Sequence, residues 1–192
     1  MLNLLSVVLA NSCMLYMTHI HGSEFYNNRI KNKKIEPKIF DLGIKYTPDF
    51  SKRVRLSQIT DIFTVILPFL FGKDILLEFI KMFALVIVVR WFFMSFTILP
   101  KNKSCNDTQT NLIDHLIRGN CYYKIFSGHF SVVFLMTLLL HDKKIISTSF
   151  LITVNILWAL LIISLRYHYT VDIFTSVVVC LLIFQNRHLV SF

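Results

Sequence analysis

The stretch that decides the fold runs from residue 125 to residue 184 and reads IFSGHFSVVFLMTLLLHDKKIISTSFLITVNILWALLIISLRYHYTVDIFTSVVVCLLIF. It holds three apolar runs, about Ile125–Leu140, Ile145–Leu165 and Val171–Phe184. Lys143-Lys144 breaks the first from the second, and Arg166 to Thr170 separates the second from the third. None of the runs alternates polar and apolar residues with the period of two that a membrane barrel strand requires. Long unbroken apolar runs instead read as helices in hydrocarbon. Working outward, three further runs appear at about Leu2–Ile20, Ile59–Phe71 (short, with a start as early as Leu56) and Ile75–Leu99. The last of these is interrupted by Glu78, Lys81 and Arg90. The sequence therefore predicts an all-α integral membrane bundle of about six transmembrane helices, in a single multispan domain over residues 1–192.

Composition agrees. Of the 192 residues 55% are hydrophobic, and the mean hydropathy is +0.60. A soluble domain is usually ~45–50% apolar, so the excess points to lipid contact. Eighteen Phe and seven Tyr against five Gly suit packed helices. The net charge of +9 asks for an anionic partner. The basic cluster Arg29-Ile30-Lys31-Asn32-Lys33-Lys34 lies between two hydrophobic runs, so headgroup phosphates fit it better than nucleic acid. Leu2–Ile20 has no basic n-region, and Ala10-Asn11-Ser12 is a poor cleavage site, so it reads as a retained helix rather than a signal peptide. Cys13 and Cys180 fall inside apolar runs as packed thiols; Cys105 and Cys121 share a loop, either as a disulfide or as two thiols. No C-x-x-C pattern supports a zinc site.

Ionisable residues at a membrane boundary are costly to keep without a task. Two such groups stand out: Ser127-Gly128-His129 and His168-Tyr169-Thr170-Val171-Asp172. With six spans the loops alternate sides, so His129, opening the fourth run, and His168, opening the sixth, emerge on one face. His168 and Asp172 are four apart, one helical turn. The carboxylate then fixes the imidazole tautomer and leaves the other ring nitrogen to attack phosphorus. Gly128 lets backbone approach a phosphate, Ser127 supplies a hydroxyl, and the helix start supplies N–H donors. Arg166 is placed to clamp a phosphate oxygen, with Tyr169 beside the histidine. Arg90 either pairs with Glu78 or Asp61 or faces the substrate cavity. Alone, Ser-Gly-His is a common turn signal, and His-x-x-x-Asp suits a helix surface or half a metal site. Together on one face they point to phosphoryl transfer through a phosphohistidine, with His129, His168 and Asp172 as the catalytic residues.

These residues resemble the lipid phosphatase/phosphotransferase (PAP2-like) superfamily, and within it the sphingomyelin synthase branch. That branch ends in Arg-x-His-Tyr-Thr-Val-Asp, and here Arg166-Tyr167-His168-Tyr169-Thr170-Val171-Asp172 stands in that form. Cys121 through Ser127-Gly128-His129 keeps the spacing of the preceding block, and Arg90, Met94, Thr97, Leu99 and Pro100 that of an earlier one. Asp41-Leu42-Gly43, Pro48-Asp49 and Asp61 resemble a first block loosely, so the likeness spans roughly residues 37–187. Three departures are plain, one being that the loop after Pro100 lacks the usual Val-Pro. Tyr122-Tyr123 stands where the branch often has Gly-Asp, an acid thought to position the first histidine; Asp107 and Asp114 are candidates to replace it. The Lys-x6-Arg-Pro block of the phosphatase branch is lacking, which favours transfer over hydrolysis.

The resemblance implies a PAP2-like core and a phosphotransferase that moves a phospho-alcohol headgroup from a glycerophospholipid to ceramide, releasing diacylglycerol. It implies no cofactor, no metal and no nucleic-acid partner; association with further copies of the chain is left open. A lipid phosphate phosphatase with the same histidines, or a non-catalytic membrane protein with a decayed site, are the alternatives. The expected location is a multi-pass protein of the Golgi, endoplasmic reticulum or plasma membrane. About 14 of the 20 Lys and Arg fall on the site side, which by the positive-inside rule places it in the cytosol. The resemblance places it on the luminal or extracellular face, as do glycosylation sequons at Asn102 and Asn106, and the expectation follows the resemblance.

Overall fold

The computed structural model describes residues 40–96 and 125–189. The predicted first span, the basic cluster, the sequons, Asp107, Asp114 and the Cys105/Cys121 loop therefore lie outside the described residues. Those described form helices, with no strand among them. A short α1 (Leu42–Tyr46) precedes α2 (Val54–Ile66), which tightens into a 3-10 turn at Leu67–Leu70. Pro68 lacks the N–H that α-helical bonding needs, which accounts for the change. α3 (Lys73–Phe96) follows; then come α4 (Gly128–Asp142), α5 (Thr148–Ser164), α6 (Thr170–Gln185) and a closing 3-10 turn at Arg187–Leu189.

α4 is the central element. Ten of its 15 residues are buried, and it packs against α2, α3, α5 and α6. It is apolar all round, as a helix enclosed by others should be. Phe130, Leu135, Met136 and Leu139 meet Met82 and Val86 of α3, Ile162 of α5 and Cys180 of α6 in one core. Asn155 of α5 reaches into that core and donates to the Thr137 hydroxyl of α4 at 2.8 Å, a polar tie between two apolar helices.

The turn expected at Lys143-Lys144 is present. Lys144 takes a left-handed conformation (φ 58°), its N–H donates to the His141 carbonyl, and the Ile145 N–H donates to the Leu140 carbonyl. That pair of bonds is a Schellman closure, normally built on glycine. The α5–α6 corner repeats it: Arg166 has φ 58°, with Arg166 N–H on the Ile163 carbonyl and Tyr167 N–H on the Ile162 carbonyl. Two reversals in succession bring the starts of α4 and α6 to the same end of the bundle.

The expected spans need correction. No helix among the described residues is long and apolar enough to cross a membrane. α4, α5 and α6 are apolar, but at 15, 17 and 16 residues they rise about 23–26 Å, short of a ~30 Å hydrocarbon core. α3 has the length, at 24 residues, but carries Asp74, Glu78, Lys81 and Arg90. The helix nonetheless runs unbroken from Lys73 to Phe96, with Glu78 paired to Lys143 at one end of the bundle and Arg90 beside Gly128 at the other. Outward faces are nonetheless apolar: Ile59, Ile62 and Phe69, Leu77 and Ile80, Ile156 and Leu157, and Phe174 and Val178 are all exposed.

Candidate functional site

The site is assembled at the end where α4 and α6 begin. Ser127 caps α4, its hydroxyl oxygen accepting the Phe130 N–H at 3.2 Å. Its own N–H donates to the Ser176 hydroxyl in the second turn of α6 at 2.9 Å, so the start of α4 is bonded to α6. Ser127 is fully buried and is used in this joint. The next residue but one, His129, projects from the first turn of α4.

At the start of α6, Asp172 turns back on the residues before it. One oxygen, Oδ2, accepts the Tyr169 N–H at 2.8 Å and lies 3.3 Å from His168 Nδ1. This joins a helix N-terminal device, an acid in the first turn taking the cap residue's N–H, to the imidazole. Asp172 is fully buried and His168 nearly so. Burial, and then the carboxylates of Asp172 and Asp41, push the Tyr169 hydroxyl above its ordinary pKa, so the phenol stays protonated and can donate at neutral pH.

Arg90 reaches the same place from α3. Its Nη1 lies 3.1 Å from where a Cβ on Gly128 would stand, so the missing side chain leaves room for the guanidinium over the start of α4. It also sits within electrostatic range of Asp172. Neither expected ion-pair partner holds it: Glu78 bonds Lys143 (3.2 Å) and Arg187 (3.3 Å), and Asp61 bonds His129. Arg90 Nε is buried with no hydrogen-bond partner.

Arg166, anticipated in sequence as a phosphate clamp, is bonded to the segment upstream of α2. Nη1 donates to the Thr47 hydroxyl (2.8 Å) and the Ile163 carbonyl (3.1 Å), and Nη2 to the Thr47 carbonyl (2.9 Å). The guanidinium thus fastens the 47–49 segment across the α5–α6 corner, where the Phe50 N–H also bonds the Ser164 carbonyl. Asp41 completes this strap. Its carboxylate caps α1 through the Ile44 N–H (2.9 Å) and takes both the N–H (2.7 Å) and the hydroxyl (2.6 Å) of Thr170 at the start of α6. Gly43 is required there, since a Cβ would run into the Thr170 hydroxyl.

Sequence reading offered Asp107 and Asp114, which lie outside the described residues, as the acid for His129, and did not pair it with Asp61. The structure brings Asp61 of α2 to 3.0 Å from His129 Nε2. The Tyr167 hydroxyl donates to the same Asp61 oxygen at 3.2 Å and also bonds the Ser57 hydroxyl. The Tyr167 ring lies 5.4 Å from the His129 ring, which draws the residue preceding His168 against the other histidine. One signal was available: an ionisable residue inside an otherwise apolar run. Its partner, 68 residues away, was not.

Together these elements offer a carboxylate-held imidazole at each of two adjoining helix starts, a buried guanidinium and the N–H groups of α4. That set suits attack on a phosphorus centre with proton exchange at a neighbouring oxygen. Residues 120–189 match a family model described as PAP2 superfamily C-terminal. The match makes this stretch similar to the PAP2 superfamily. No curated protein matches the chain.

Proposed function

We propose that the protein is a membrane-embedded phosphotransferase that moves a phospho-alcohol headgroup from a glycerophospholipid to ceramide. The observation that carries this reading is the pairing of His168 Nδ1 with the buried Asp172 at the same bundle end as His129. With Nδ1 turned to the carboxylate, Nε2 is assigned as the nucleophile. Its lone pair attacks phosphorus, the bond from phosphorus to the glycerol oxygen breaks, and His129 protonates that oxygen to release diacylglycerol. The headgroup phosphate remains on His168. Ceramide then gives its hydroxyl proton to His129, its oxygen attacks phosphorus, and the phosphorus–nitrogen bond breaks. Arg90 and the α4 N–H groups hold the equatorial oxygens as charge builds. Arg166 and Asp41 keep the corner carrying His168 in place.

Two things support the ceramide-transferring reading over the superfamily at large, and a third supports the membrane setting. The block at Arg166–Asp172 has the form of the sphingomyelin synthase branch. The Lys-x6-Arg-Pro block of the phosphatases is missing from the sequence. Apolar side chains cover the outward faces of α2, α3, α5 and α6, as lipid contact requires, whereas soluble monomers rarely expose contiguous apolar patches beyond a few hundred Å². Membrane lipids are accordingly both its surroundings and its substrates, and the luminal or extracellular face is the proposed side for the site.

The deciding experiment reconstitutes purified protein with a headgroup-labelled glycerophospholipid, with and without ceramide, and follows products by mass spectrometry. A labelled ceramide phospholipid formed only when ceramide is present is the expected result. Free headgroup phosphate at the same rate in both samples would identify a phosphatase instead, and label left entirely in the donor would leave a non-catalytic protein.

A further inference from the structure

We infer that Asp61 is the positioning residue of His129, the counterpart of Asp172 at His168, and that it stands in for the acid lacking at Tyr122-Tyr123. This rests on the proposed function. The Asp61 carboxylate is 3.0 Å from Nε2, and both side chains are about a quarter exposed (27% and 23%), at the edge of the site rather than in the core. The carboxylate is itself held. Tyr167 donates to Oδ1, and Ser57, one helical turn before Asp61 on α2, holds the Tyr167 hydroxyl. The His129 main chain is fixed as well, its carbonyl accepting Trp158 Nε1 at 3.2 Å. Three helices and the α5–α6 corner thus converge on one imidazole.

The bond to Asp61 settles a tautomer. Nε2–H donates to the carboxylate, so Nδ1 is the atom that exchanges protons with the alcohol oxygens. In the first half-reaction the imidazolium gives its Nδ1 proton to the departing glycerol oxygen and becomes neutral. In the second, the Nδ1 lone pair takes the ceramide hydroxyl proton and the imidazolium returns. Asp61 stays ionised throughout and stabilises the charged ring, as the triad carboxylate does in serine hydrolases. Each histidine then has its own acid, supplied by different means. Asp172 belongs to the motif of His168, whereas Asp61 comes from a helix far upstream.

The alternative is a bare structural tie between α2 and α4, and the leaving group separates the two. A donor whose glycerol oxygen is replaced by sulfur releases a thiolate, which needs no proton, while its lipid portion is unchanged. For Asp61→Asn the expected result, read in a single turnover without ceramide as release of the lipid leaving group, is an oxygen-donor rate lower by about 10²-fold, the lower end for acid–base help, with the sulfur-donor rate within about threefold of the parent. His129→Ala should show the same selectivity, and Asp61→Glu should recover part of the oxygen-donor rate. Equal losses on both donors, or no loss on either, would overturn the role of Asp61. Should Asp61→Asn fail to accumulate folded protein, Tyr167→Phe reads the same contact and should give a smaller loss confined to the oxygen donor; an equal loss on both donors counts against the inference. Failure of the proposed function looks different: the parent protein itself would then form no labelled ceramide phospholipid from either donor, whatever Asp61 does.

Discussion

The two ends of the bundle handle charge in opposite ways. At the end where α3 starts and α4 and α6 finish, Glu78 pairs with Lys143 and Arg187, and Arg187 pairs again with Asp142 at 2.8 Å. Those side chains are about a third to a half exposed, and each cation meets a carboxylate. At the histidine end the charges are deeper and their bonding is incomplete. Asp172 Oδ1 and Arg90 Nε are buried without a hydrogen-bond partner. A buried polar group left without a bond costs roughly 1–3 kcal/mol, so retaining two such atoms is unfavourable unless something else repays it. The comparison separates charge used to tie helices together from charge buried with bonding capacity left over.

Substitutions test that separation, and the largest effects belong to the histidine end. His168→Ala and Asp172→Asn should each abolish headgroup transfer, a loss of at least about 10⁴-fold by product assay, since a nucleophile and its orienting acid act as a unit. Full activity in His168→Ala would remove the nucleophile. Arg90→Gln should lower kcat by about 10²–10³-fold, the range for losing one donor to developing charge. An unchanged kcat would mark Arg90 as structural. Gly43→Ala forces a methyl into Thr170 and should cost about 1–3 kcal/mol of stability in denaturant titration, as overpacking does, with activity falling alongside. Lys143→Gln, at the opposite end, should shift stability by less than about 1 kcal/mol and leave turnover alone, because half-exposed pairs contribute little. A larger loss there would erase the contrast.

Much of this was legible in sequence, for reasons that differ by element. The helices over 128–142, 148–164 and 170–185 follow from apolar runs separated by short polar corners, and their ends fall within a few residues of those expected. His168 and Asp172 were readable because an i, i+4 pair is local geometry. Asp61 with His129 was not, because that contact depends on how α2 packs against α4. The anchoring contacts of Arg166 were hidden for a related reason. Its place beside His168 suggested a substrate contact, but a left-handed helix end turns its side chain toward Thr47, on a segment more than a hundred residues upstream. Ser127 likewise met a nearer demand, the cap of α4. The charges in α3 looked like interruptions because a linear pattern does not reveal that Glu78 and Arg90 serve opposite ends of one rod.

One oxygen atom links architecture to chemistry. Asp172 Oδ2 receives both the backbone N–H that opens α6 and the ring of His168, the proposed nucleophile. The imidazole is therefore indexed to the helix axis like a tool clamped to a lathe bed, and it shifts only when the first turn of α6 shifts. Fraying of that turn would blunt catalysis before any loss of global structure registered, so amide exchange at Tyr169 should be a sensitive gauge of whether the protein is competent to react.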